Sequence, residues 1–351
     1  MPLAIQYPSW LDPVIIPGLP FRWYGLMYIF AFVTAYFVFR RQVKERNFPL
    51  DEDQLSGLFF WSIISLILGA RIFFALVYDR SNNYLLRPWM IFWPFHNGQF
   101  TGFHGMSYHG GVIGGVLAMI IYSRVKKFDV REILDMFAAS IPLGYTFGRL
   151  GNFINGELFG RVTTGPLGMF FDPDKHSSVR LFSASEEWVR EVADKTGAVI
   201  KNGLVNLPRH PSQLYEMVLE GIVLWAFIWF FRNRKPFKGF LVTLYLSGYG
   251  FVRFIIEYFR EPDSQMGYPI NFASTASSPT ALYHPLLSFS TGQILCFLMI
   301  LTGIAWALIA ARMPNREPVR IYPTVEEIRA VDKDERDARR KQERKMRKKL
   351  K

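Results

Sequence analysis

Long apolar runs alternate with short charged gaps along this chain, and the runs have the length that a bilayer requires. Seven stretches read as spans: Trp23 to Phe39, Leu55 to Tyr78, Gly105 to Tyr122, Ile133 to Gly151, Gln213 to Phe231, Gly239 to Glu257 and Thr291 to Ala311. The patch from Trp89 to Phe95 is too short to cross and contains Pro94, so it is expected at the interface. Residues 162–210 form a long segment of mixed charge between the fourth and fifth runs. There Ser183 and Glu186 have capping-box spacing and Gly197 marks a stop, which predicts one short soluble helix. The pattern is that of an all-α integral membrane protein with about seven transmembrane helices in residues 1–312. It carries a small head at 162–210 and a tail at 313–351.

The gaps set an orientation, because Lys and Arg collect on the cytoplasmic side. Arg40, Arg41, Lys44 and Arg46 follow the first run, Arg124, Lys126, Lys127 and Arg131 the third, and Arg232, Arg234, Lys235 and Lys238 the fifth. The alternate gaps are poor in positive charge, which puts the N-terminus outside, the C-terminus in the cytoplasm and the head outside. The first residues lack a positive stretch ahead of an apolar core, so the first run is expected to remain as an uncleaved anchor.

Composition narrows the chemistry. Of 351 residues 50% are hydrophobic and 17% aromatic, which excludes disorder, and the single Cys296 excludes a disulfide scaffold or a thiol-based centre. Cys296 reads as a packing residue of the seventh run. No two of the six histidines have the i, i+4 spacing of a zincin, His104 and His109 being five apart, and there is no Walker A pattern. No metal or other cofactor is therefore expected. The tail holds 14 Lys or Arg against 8 Asp or Glu, half of the chain's net +12. It reads as a solvated helix capped by Thr324 and Glu327 and drawn to anionic lipid by charge, and with no nucleic-acid module it implies no nucleic-acid partner.

On this topology the intramembrane charges fall on one side. Arg71, Arg149, Arg253 and Glu257 lie at outward ends of runs, while Tyr24, His109, Gln213 and Glu216 open runs at the same face. Charges inside a bilayer are costly, so a one-sided cluster marks a functional site, although Arg253 with Glu257 at i, i+4 also fits a structural pair. The stretch from Gly148 to Arg161 offers four glycines, two Asn side chains and two arginines, a composition suited to holding an anionic headgroup. Gly110, Gly111, Gly114 and Gly115 read as helix-packing positions. His109, beside them, offers an imidazole, the side-chain type most often used as a general base. A transporter also builds ionisable groups into a membrane, but it places them near the midplane and often repeats its fold, and neither feature is evident. A scaffold for other enzymes would leave the one-sided cluster without a purpose.

The motifs GRLGNFINGELFG at Gly148 to Gly160, HGGVIGG from His109, RWYGLMY from Arg22, RHPSQLYE from Arg209 and RFIIEYFREPD from Arg253 carry a family resemblance. In this order they make the chain similar to the bacterial phosphatidylglycerol–prolipoprotein diacylglyceryl transferases, over roughly the first 311 residues. The resemblance implies an enzyme of the bacterial inner membrane that moves the diacylglyceryl group of phosphatidylglycerol to the lipobox cysteine of preprolipoprotein signal peptides. A thioether forms and glycerol 1-phosphate leaves, the first step of lipoprotein maturation.

Such a reaction must deprotonate a thiol of ordinary pKa near 8.5, hold an anionic headgroup and neutralise a departing phosphate. By the resemblance, Arg149 and Arg253 hold phosphate and His109 activates the thiol. Asn152, Glu157 and Gly160 fall on signature positions, Tyr24 on the tyrosine of the first span, and Tyr249 and Glu257 beside the second arginine. Glu157 or Glu257 can also serve as the base if burial raises its pKa. Arg71 and Glu216 are further candidates.

Overall fold

The computed structural model describes residues 4–16, 21–79, 83–93, 95–96, 99–100, 105–261, 268–271, 281–282 and 286–313, with Lys333 and Arg336. Pro94, His104, His284 and the proposed tail cap at Thr324 and Glu327 lie outside them. The helices are α1 (Trp23–Glu45), α2 (Glu52–Phe73), α3 (Asn83–Leu86), α4 (Tyr108–Val125), α5 (Val130–Ala138), α6 (Ile141–Ile154), α7 (Glu187–Thr196), α8 (Ser212–Glu216), α9 (Leu224–Phe231), α10 (Phe240–Ile256) and α11 (Thr291–Arg312). Two π-helical turns extend them. Phe74–Tyr78 prolongs α2, and Met217–Val223 joins α8 to α9 in one rod.

Four helices among the described residues are long and apolar enough to cross a membrane: Trp23–Glu45, Glu52–Tyr78, Ser212–Phe231 and Thr291–Arg312; Phe240–Ile256 is a shorter apolar helix. Only 17–28% of an 18-residue apolar stretch in each of the four is buried within the protein, which leaves large side chains such as Phe30, Phe37, Trp61, Phe227, Phe297 and Leu301 uncovered. Lipid contact is what such faces require. The other two expected spans differ from a plain apolar helix. The Gly105 to Tyr122 stretch becomes α4, diluted in apolar content by His109, four glycines and Arg124. The Ile133 to Gly151 stretch is not one helix but two, α5 and α6. The break falls at Ala139–Ser140, where Pro142, in the first turn of α6, brings no N–H to a continuing ladder.

The chain divides into two compact units. The smaller, Phe39–Leu134 with Asn315–Lys351, is built on the packing of α2 against α4. Glycine makes the approach close: a Cβ at Gly110 would overlap the Gly69 carbonyl, and one at Gly114 the Ser65 carbonyl. Asp51 and Gln54 form a capping box at the start of α2, and Ser107 caps α4. Arg71 is buried and donates to the carbonyls of Ile91 (2.5 Å) and Gly105 (3.0 Å) and to the Tyr84 hydroxyl (3.1 Å). These bonds make it a tie for the segments after α2.

The larger unit, Met1–Val38 with Asp135–Pro314, holds residues 23–38 of α1, α6, the α8–α9 rod, α10, α11 and the head. Gly250 lies against the Cys296 backbone and Gly303 against Ser247, so α10 and α11 pack closely; buried Cys296 is a packing residue, as expected. Ala138, Ala139, Leu224, Ile228 and Leu241 form a buried apolar cluster. The α10 N-terminus begins at left-handed Gly239 with no cap of its own. Asp135 supplies one, accepting from the Gly239 and Val242 N–H groups (2.9 and 3.1 Å) and from Lys235 (3.1 Å).

The head is not purely helical. Leu204–Val205 pairs antiparallel with both Phe182–Ser183 and Ile200–Lys201, and α7 packs on this small sheet through Val189, Val192 and Ala193. Its core also takes Ala281, from beyond residues 162–210. The stop at Gly197 is as expected, with φ 71°. The expected capping box is absent: α7 begins after Glu186, and Ser183 is committed to the sheet, its hydroxyl bonding Ser185.

Candidate functional site

Three elements of the larger unit bring charge together. On α6, Tyr145, Arg149 and Asn152 are four and three residues apart and share a face. The α8 helix and its π-turn present Glu216 and Glu220, and α10 presents Tyr249 and Arg253 with Glu257 at its C-cap. Gly221 seats the π-turn on α6, since a Cβ there would overlap Thr146.

Glu216, fully buried, is the centre of the cluster. Its Oε2 lies 2.7 Å from Arg149 Nε, and its Oε1 lies 3.0 Å from Arg253 Nη1 and 3.4 Å from Arg260 Nη1. Arg253 Nη2 donates to Glu257 (3.1 Å), whose other oxygen accepts from Ser290 (3.1 Å). Arg149 Nε also donates to Tyr145 (2.5 Å), which donates to Glu220 (2.5 Å). Three arginines are thus set among three buried carboxylates. Removing one partner of a buried pair costs about 3–5 kcal/mol, so the carboxylates hold the guanidiniums in place. Arg149 and Arg253 each keep 15% of their side chains exposed, and Nη2 of Arg149 has no partner among the described residues. That open, charged donor suits an oxyanion.

The glycine-rich signature leaves this face as α6 ends. Asn152 joins Arg149 Nη1 (3.4 Å) to Glu157, to which its amide donates at 2.9 Å. Around Glu157 the chain turns through Gly156 at φ 61°, tight against the His176 ring, and Leu158 at φ 56°. Gln213 and Ser212 donate to the Glu157 and Leu158 carbonyls (2.7 and 3.1 Å) and tie the turn to α8. Gly160 serves a close backbone approach: its N–H donates to the His210 carbonyl (2.8 Å), and a Cβ would overlap the Phe259 carbonyl. Tyr24 packs beside Gly151 and shares a hydroxyl bond with Tyr28 (3.0 Å). Tyr249 meets the Tyr145 ring edge-to-face at 6.0 Å.

Below the turn, Arg209 binds Glu261 and lies over the Phe159 ring at 4.9 Å. Burial, aided by the Arg161 charge, pushes the His210 pKa down, and burial does the same for His176.

Of the sequence-derived candidates, Arg149, Asn152, Glu157, Glu216, Arg253 and Glu257 form one bonded network, with Tyr249 and Tyr24 on its margins. His109 belongs to the smaller unit. It is exposed, second in α4, and its Nδ1 lies 3.2 Å from the hydroxyl of Tyr78, the last residue of the other π-turn. π-turns recur at functional positions, and here each adjoins a candidate residue. Tyr145, Glu220 and Arg260 are network members that the sequence reading omits. A carboxylate in the middle of an apolar run was the available signal for Glu220.

The chain matches the family model of prolipoprotein diacylglyceryl transferase over residues 13–309. It is 55% identical over 325 residues to the phosphatidylglycerol–prolipoprotein diacylglyceryl transferase of Treponema denticola, covering 88% of this chain and 95% of that protein. It is 47% identical over 331 residues to the same enzyme of Treponema pallidum, covering 91% and 98%, and 41% identical over 303 residues to that of Chlorobaculum tepidum, covering 85% and 89%. With matches of this length and identity joined to its apolar helices, the chain is a multi-pass membrane protein that belongs to the prolipoprotein diacylglyceryl transferase family.

Proposed function

We propose that this protein transfers the diacylglyceryl group of phosphatidylglycerol to the lipobox cysteine of preprolipoproteins in the bacterial inner membrane. The cysteine sulfur attacks the glycerol carbon that carries the phosphate ester, the C–O bond breaks, and glycerol 1-phosphate leaves with the electron pair. Arg149 and Arg253 hold the phosphate and stabilise the charge that grows on it as the bond breaks. Asn152, Glu157, Gly160, Tyr24, Tyr249 and Glu257 line and fix this site, and His109 takes the thiol proton, with Glu157 or Glu257 as the alternative base. The protein crosses the membrane about seven times, N-terminus and head on the periplasmic side and C-terminus in the cytoplasm.

The observation that carries this reading is the pair of arginines anchored on opposite oxygens of buried Glu216, with Nη2 of Arg149 open. Its test is transfer from labelled phosphatidylglycerol to a lipobox-cysteine peptide by purified protein in detergent. Wild type is expected to form the thioether and release glycerol 1-phosphate, and Arg149→Ala to do neither while remaining folded. An active Arg149→Ala, or an inactive folded wild type, overturns the reading.

A further inference from the structure

Arg149 has two supports on its Nε edge, and they differ in kind. Glu216 serves Arg149, Arg253 and Arg260 at once, so a shift of any one guanidinium bears on the others. Among the described residues Tyr145 serves no arginine but Arg149, accepting from Nε at 2.5 Å with its own proton given to Glu220 at 2.5 Å. The guanidinium carbon also lies 4.8 Å from the Tyr145 ring centroid, so the same side chain fixes both its edge and its face. Glu220 is 1% exposed, and the tight seat of Gly221 on Thr146 holds it against α6. A buried carboxylate that accepts from a phenol one helical turn from the arginine fixes the direction of that phenol's lone pairs.

We propose that Tyr145 and Glu220 are positioning residues for phosphatidylglycerol: Glu220 orients the Tyr145 hydroxyl, and Tyr145 sets the rotation of Arg149 that aims Nη2 at the phosphate. The inference rests on the clamp reading above. The pair touches neither substrate, and its effect falls on the lipid and not on the lipobox peptide.

The test is steady-state kinetics of the full-length protein in detergent, varying each substrate separately, with thermal unfolding recorded for every variant. Tyr145→Phe keeps the ring and removes the hydroxyl. It is expected to raise KM for phosphatidylglycerol about tenfold, the scale of one lost hydrogen bond to a charged group, with KM for the peptide unchanged and the unfolding midpoint somewhat lowered, since the buried Glu220 carboxylate loses a partner. Glu220→Leu also removes the 3.7 Å ion pair of Glu220 with Arg253, so it is expected to lose at least as much, and the double variant to be no worse than Glu220→Leu alone, because Tyr145 acts through its bond to Glu220. Glu220→Gln keeps an acceptor for the phenol and is expected to restore the lipid KM to within about threefold of wild type. Wild-type lipid KM in Tyr145→Phe, equal losses for both substrates, or additive effects in the double variant overturn the proposal. Should Glu220→Leu fail to fold, Tyr145→Phe and Glu220→Gln decide alone. If Arg149→Ala retains transfer, the clamp reading falls and this inference with it. If Arg149→Ala is inactive and Tyr145→Phe is wild-type-like, only the positioning role is lost.

Discussion

Arg149 and Arg253 are held by opposite oxygens of one carboxylate, Glu216, at 2.7 and 3.0 Å. Two like charges can share a buried space because the counter-charge between them is fixed on a third helical segment. The arrangement separates two tasks: Glu216 balances the arginines, and Nη2 of Arg149 is left open for an anion.

Substituting Arg149 by Lys retains the charge and loses the fork. An ammonium cannot bond Tyr145, Glu216 and Asn152 from fixed directions and still offer a donor outward. Transfer by Arg149→Lys is expected to fall at least about a hundredfold, from two or more charge-assisted bonds. Activity within a few-fold of wild type in the labelled-lipid assay would contradict it.

His109→Gln tests the base. Gln keeps a polar partner for Tyr78 but takes up no proton at neutral pH. A loss of about 100- to 10,000-fold in kcat is expected, the usual range for a general base, with partial recovery at high pH where the thiol ionises unaided. Appreciable activity at pH 7 would transfer the role to Glu157 or Glu257.

Glycine positions differ sharply in what they tolerate. Gly114→Ala drives a Cβ into the Ser65 carbonyl between α2 and α4 and is expected to cost about 1–3 kcal/mol. Gly25, in α1, has nothing within 4 Å of an added Cβ, so Gly25→Ala is expected to be neutral or to stabilise by up to about 1 kcal/mol. Thermal unfolding in detergent compares the two, and equal midpoints would refute the packing argument.

The head is expected to loosen in mild acid. His176 and His210 have folded pKa values below the ordinary 6.5, so the unfolded head binds more protons once the pH drops past that value. Their contribution is complete above about pH 6.5 and is lost as the pH falls toward the depressed values. Amide hydrogen exchange in residues 162–210 should show lower protection at pH 5.5 than at pH 7, after correction for intrinsic rates. Equal protection would exclude the effect.

Much of the architecture is legible in the chain because apolar length is a local property. The seventh run, Thr291 to Ala311, and α11, Thr291–Arg312, differ by one residue, and the fifth run differs from the Ser212–Phe231 rod by one. The Arg253–Glu257 pair also follows from i, i+4 spacing alone. The break at Ser140 is concealed because Ala138, Ala139 and Ile141 continue the apolar run across it. The π-turns leave no trace in hydropathy, since widening a helix changes its bonding and not its composition. Glu216 reads as a lone charge in the sequence, and its three arginines come from positions 37 to 67 residues away along the chain; only folding reveals it as their common anchor.

A helix that widens to i→i+5 bonding over Met217–Val223 accommodates about one residue more than an α-helix along the same path. Deleting a single residue there would let the rod close into uninterrupted α-helix, while Ser212–Glu216 and Leu224–Phe231 kept their present faces. The bulge therefore frees the two ends from a common phase. One end answers to the arginines and the other to the Ala138–Ile228 cluster, and the insertion absorbs the mismatch between them.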